Sequence, residues 1–114
     1  MCMKRALKPI PSFKTEAEER AIVHQDCVTN PPAALVDAAV SITRATRVDP
    51  RIRRGASVRA AIALADIAHR LGGDLQRAAQ LALPTRLELV DPLATPIAGV
   101  LDDLAKKAAV APPH

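Results

Sequence analysis

This sequence predicts an all-α fold: a small four-helix bundle, preceded by a short N-terminal helix and an extended leader. Three observations carry the prediction. Ten prolines, at 9, 11, 31, 32, 50, 84, 92, 96, 112 and 113, cut the chain into segments whose apolar residues recur at helical rather than alternating spacing. The apolar share is 49%, much of it alanine, with one phenylalanine, no tyrosine and no tryptophan. A core of Ala, Leu, Ile and Val fills space only when helices approach closely, because no large rings are present to span wider gaps. Finally, 114 residues suit one domain with one core, a size at which about two thirds of the unfolded surface becomes buried.

The elements follow in order. Thr15 with Glu18 three residues on forms a capping-box pattern, which predicts a short acidic helix ending near Gln25. Asn30 before Pro31 predicts a helix start, with Leu35, Ala38, Ala39, Ile42 and Ala45 at helical spacing as far as about Arg47, where Asp49 and Pro50 break the pattern. A third helix is expected after Gly55, with Ser57 as cap and Gly72–Gly73 as stop. Between Val58 and Leu71 its polar residues are Arg59, Asp66, His69 and Arg70, which gather on one side, so this helix should be central. Asp74 caps a fourth helix that Pro84 ends. TRLELV, 85–90, alternates polar and apolar residues and fits a short edge strand. Thr95 and Pro96 open a last helix, IAGVLDDLAKKAAV, whose late lysines suit a C-terminus. The expected organisation is a leader over 1–27 that contains one short helix, a helical domain over 28–108, and a disordered tail over 109–114.

Charge and cysteine usage narrow the classes. The net charge of +4 is modest and mixed in sign, so the overall field does not demand an anionic partner. Cys2 and Cys27 are too few and too far apart for a disulfide scaffold or a metal site and are expected to stay reduced. No apolar run reaches the ~18 residues of a membrane span, and MCMKRALKPIP has no signal-type apolar region. The expectation is a soluble cytoplasmic protein with no membrane partner.

Catalytic chemistry is not apparent. No glycine is followed by lysine, which removes the phosphate-cradling loop, and no apolar run ends in the paired acids that would hold magnesium. His24, His69 and His114 lie on separate segments. Asp66 and His69 share a helix face, an arrangement expected to be a structural hydrogen bond rather than a catalytic pair. No catalytic residue, metal ligand or cofactor is therefore assigned to the chain alone, and an enzyme is not expected.

The arginines stand out. RIRRGASVRA, with Arg44 and Arg47 upstream, places six arginines within residues 44–59, among which Asp49 is the one acid. Arg44, Arg47, Arg51, Arg53 and Arg54 form a candidate basic or anion-binding patch, alternatively a solvated helix entry. Arg59 falls in the first turn of the third helix, where the guanidinium and the helix N-terminus would both favour a phosphate. Aromatic stacking partners for nucleic acid are absent apart from the remote Phe13.

Two family likenesses attach to these residues. VTNPPAALVDAAVSITRATR, VDPRIRRGASVRAAIALADIAHRL and LQRAAQLALPTRLEL, from Val28 to about Ala108, resemble the C-terminal helical lid of AAA+ ATPases of the MoxR and magnesium-chelatase type. In that family the arginine of G-A-S-x-R is the sensor-2 residue, which reaches from the lid to the nucleotide phosphates. Arg59 holds that position. The resemblance implies ATP or ADP contact only in a complex, because the large domain with its phosphate loop is not part of this sequence. KRALKPIPSFKTEAEERA looks like the start of CopG-type antitoxins of type II toxin–antitoxin systems. Ile22 to Gln25 depart from that pattern, and the strand and helices that would bind DNA do not follow.

The leading functional expectation is a non-catalytic lid-type interaction module that docks to an AAA+ core, or self-associates through an apolar face left uncovered. The alternatives are a small antitoxin-like regulator binding DNA or a toxin, and a vestigial fusion of the two likenesses.

Overall fold

The structure, a computed structural model, describes residues 14–110. The described residues contain the five α-helices that the sequence predicts and one small two-stranded antiparallel sheet, of which the sequence suggested one strand. Helix α1, Glu16–Asp26, opens on the expected capping box: Thr15 Oγ1 accepts from the Glu18 amide at 3.2 Å while the Glu18 carboxylate accepts from the Thr15 amide at 2.9 Å. Helix α2 spans Ala33–Thr46.

The start of α2 corrects the sequence reading. Asn30 is not the N-cap; it sits at φ 53°, in the left-handed region, and Pro32 holds the cap position, its carbonyl accepting from Leu35 and Val36. A residue before proline is excluded from the helical region, and asparagine tolerates the left-handed one better than most side chains. The paired prolines thus delay the helix by two residues.

Strand β1, Ile52–Arg54, lies inside the arginine-rich stretch, where the sequence suggested only a loop. It pairs antiparallel with β2, Glu88–Leu89, within the predicted TRLELV segment. Ile52 faces Leu89 and Arg54 faces Glu88, with an irregularity between them. Ile52 and Leu89 are buried in the core, while Arg53 and Arg54 are both exposed, a pattern that strict alternation would not give and that accompanies the irregularity in register.

Helix α3, Val58–Arg70, follows Ser57, which occupies the N-cap without a side-chain bond. Its end is a Schellman motif: Gly73 N donates to Ala68 O at 2.7 Å and Gly72 N to His69 O at 3.2 Å, with both glycines at positive φ. Helix α4, Leu75–Ala82, is capped by Asp74, whose carboxylate accepts from the Arg77 amide. A single 3-10 turn, Pro84–Arg86, leads to β2, and α5 runs from Ile97 to Val110, past the edge expected at 108.

Helix α3 is the hub, packed against α1, α2 and α4, and α5 closes the bundle on α2 and α4. Alanines form much of the close-packed centre, among them Ala39, Ala60, Ala65, Ala78 and Ala79, with Ile42, Leu64, Leu83 and Leu101 as the largest fully buried side chains. The boundary expected at residue 27 does not divide this packing. Val23 of α1 is fully buried in the same core, so α1 belongs to the bundle rather than to a separate leader. Residues 1–13 and the tail from 111 lie outside the described residues, as do Cys2, Phe13 and His114.

Candidate functional site

The centre of the arginine-rich stretch is a backbone joint. Gly55 lies directly on the end of α2: a Cβ there would stand 2.7 Å from Arg47 Cα and 2.8 Å from both Arg47 N and Thr46 O. The next residue, Ala56, is buried and bonded on both sides. Its amide donates to Thr46 Oγ1 at 2.9 Å and its carbonyl accepts from Arg47 Nε at 2.7 Å. G-A in this phrase is therefore a close-approach pair that pins the entry of α3 to the exit of α2.

Most of the clustered arginines are tied into the fold. Glu19 of α1 is 2% exposed and takes Arg44 Nη1 and Arg47 Nη1 on its carboxylate at 2.9–3.0 Å. An ionised carboxylate at that depth requires such partners. Arg51 clamps Asp49 with two nitrogens, at 3.0 and 2.8 Å, and reaches Asp103 of α5 at 3.0 Å. The hydrogen bonds from Arg51 hold the Asp49 carboxyl below its ordinary range. Arg53 and Arg54 lie near Glu88 at 3.5 and 3.8 Å on the exposed face of the ribbon, contacts of little energetic weight. The expected patch of Arg44, Arg47, Arg51, Arg53 and Arg54 is thus partitioned among four acids instead of forming one field.

Arg59 differs from the other five. It is exposed in the first turn of α3 and has no hydrogen bond or ion pair among the described residues. Its mount is firm: the preceding residues are fixed by the Gly55–Ala56 joint, and Ala60 and Ala61 beside it are buried. The geometry presents one unpaired guanidinium beside the free amides at the positive end of a helix.

Asp66 does not pair with His69 as the sequence suggested. Its carboxylate faces the α1–α2 connection and accepts from the amides of Val28 and Thr29 at 3.2 and 3.0 Å and from Thr29 Oγ1 at 2.6 Å. Burial alone would raise its carboxyl, but the bonds from Thr29 and Val28 outweigh it and hold the group below its usual value. Next to it Cys27 Sγ lies 3.6 Å from Ile62 O, and burial, reinforced by the Asp66 charge, pushes the thiol up to about 11. A thiol pushed in that direction carries little thiolate at neutral pH and is a poor nucleophile.

A second feature is an open cleft of about 820 Å³ bounded by α2, α5 and the α3–α4 turn. Ala38, Ile42, Leu75 and Leu104 give it an apolar floor, while Asp37, Ser41, His69 and Lys107 stand among its lining residues. No single residue pattern announced it, since its walls come from three separate segments. Glu19 was also missed, although its spacing of four from Val23 places both on one face of α1 and carried the signal.

Among the described residues no group of three or more His, Cys, Asp or Glu is placed to hold a metal ion, and no helix is long and apolar enough to cross a membrane. No family model, curated protein or solved structure matches the chain.

Proposed function

We propose that this chain is a non-catalytic helical module of AAA+ lid type that docks to an ATPase core and offers Arg59 to the phosphates of a nucleotide held there. One observation carries the proposal: of the six arginines crowded into residues 44–59, Arg59 alone is left without an acidic partner among the described residues, and it stands in the first turn of α3, directly after the Gly55–Ala56 joint. A group meant only to solubilise the bundle needs no such mount. ATP or ADP contacts the chain only in the complex, and alone it turns over no nucleotide, because its sequence contains no phosphate loop.

The test is binding to a purified MoxR-type large domain loaded with a non-hydrolysable ATP analogue. The intact chain should bind, and Arg59→Ala should weaken binding by about tenfold or more, the effect of one charge-assisted phosphate contact, while melting stays unchanged. No binding, or equal binding by the variant, overturns the reading. Binding to duplex DNA that falls steeply with added salt would instead support the antitoxin-like regulator. Binding to none of ATPase core, DNA or toxin would leave the vestigial fusion.

A further inference from the structure

We infer that the outer side of the α3–α4 hairpin is a docking face for an acidic protein surface; by the reading above, on which the inference rests, that surface lies beside the nucleotide site of the ATPase core. Charge is distributed unevenly over the fold. Ten arginines fall within the described residues. The six that precede Gly55 each reach a carboxylate within 3.8 Å. The other four, Arg59, Arg70, Arg77 and Arg86, all lie between the start of α3 and the end of the 3-10 turn, are exposed, and pair with no carboxylate among the described residues. From 58 to 87 the acids are Asp66 and Asp74, and both accept from backbone amides. A surface that only keeps a bundle in solution intersperses both signs, as the rest of this fold does and this side does not.

The four guanidiniums belong to one hairpin. Helices α3 and α4 pack on each other across the short turn at 71–74. Arg59 and Arg70 stand three turns apart on one side of α3, about 16 Å from each other, while Ala61, Leu64, Ala65 and Ala68 face the core. On α4, Arg77 and Leu81 are one turn apart, on the side away from the buried Ala78, Ala79 and Ala82. Arg86 Nη1 donates to the Ala82 carbonyl at 2.8 Å, which holds that guanidinium over the end of α4.

The neighbours of these arginines select a protein over a nucleic acid. Leu71 and Leu81, beside Arg70 and Arg77, are 37% and 59% exposed. A sugar–phosphate backbone offers them nothing apolar to bury against, and this hairpin has no aromatic ring on which a base could stack. Protein interfaces combine arginine with apolar side chains, and the planar guanidinium takes a carboxylate with two parallel hydrogen bonds. A partner that places a phosphate on Arg59 runs on along α3 to Arg70, so its complementary acids stand about 16 Å from that phosphate.

Binding of the full-length chain to a purified MoxR-type large domain, with and without the non-hydrolysable ATP analogue, tests the inference. Arg70→Glu combined with Arg77→Glu should weaken binding in both states by about tenfold or more. Lys14→Glu combined with Lys107→Glu makes the same change in net charge before α1 and on α5, and should weaken it by less than about twofold. All four side chains are exposed and none forms an ion pair among the described residues, so melting should stay unchanged in both variants. Arg59→Ala should act on the loaded form alone, which separates the two claims. Loss with the arginine pair together with a silent Arg59→Ala supports the face while it removes the phosphate contact. Binding that survives the arginine pair, or falls equally with the lysine pair, overturns the inference and leaves the docking reading. No binding in either state overturns both. Salt-sensitive binding to duplex DNA in its place, lost with the arginine pair, would make the face a nucleic-acid site and would equally overturn the inference.

Discussion

Gly55 rests on the backbone of Arg47, so close that a single added methyl would sit 2.7 Å from Arg47 Cα. The atoms it would meet are main chain and cannot swing aside. Gly55→Ala should therefore cost about 1–3 kcal/mol, a drop in melting temperature on the order of 10 °C. Calorimetry of the variant checks this, and an unchanged melt would mean that the joint is loose.

Glu19 and Glu16 make a controlled comparison on one helix. Glu19 is buried between Arg44 and Arg47, whereas Glu16 meets Arg20 at 2.9 Å on the surface. Glu19→Gln removes the buried carboxylate charge that Arg44 and Arg47 both contact, Arg47 being only 9% exposed, a loss of about 2–4 kcal/mol. Glu16→Gln should change stability by less than about 0.5 kcal/mol. Urea unfolding of the two variants side by side provides the measurement.

Asp66 ties stability to acid pH. Because its folded carboxyl is held below the unfolded value, its contribution is complete above about pH 4 and fades as pH falls through the folded value. Asp66→Asn should be less stable than the parent by about 1–3 kcal/mol at pH 7, with the gap closing as the pH drops below 4. A gap that widened in acid would contradict the assignment.

Cys27 should resist alkylation. With its thiol at about 11, the reactive thiolate at pH 8 is scarcer than in an ordinary cysteine of about 8.5 by about two orders of magnitude. In a Cys2→Ser chain, iodoacetamide should react slowly until urea unfolds the bundle. Rapid reaction in the native state would place the sulfur in water.

Helix ends were the most legible features, because their signals are local. Thr15 with Glu18, Asp74 before α4 and the Gly72–Gly73 stop each act within a turn of their own backbone. What escaped depends on residues far apart in the chain. β1 is three residues long and exists because Glu88–Leu89 returns beside it. Arg44, Arg47, Arg51, Arg53 and Arg54 looked like one patch because, Asp49 apart, their acids, Glu19, Asp103 and Glu88, come from α1, α5 and the distant strand. Asp66 looked like a partner for His69 because that residue was near in sequence, while Val28 and Thr29 approach through the fold. Arg59 was legible as an outlier, and the fold adds that no acid pairs with it among the described residues.

The two-stranded ribbon also closes a ring. Joining Ile52 to Leu89 brings together the chain on either side of α3 and α4, so that these helices form a loop fastened at its neck. Neither can peel from the bundle while the ribbon holds, and the ribbon's own apolar pair is buried against the core they build. The hairpin of α3 and α4 should open to solvent as one cooperative unit, with Arg59 at its base carried along whenever that unit opens.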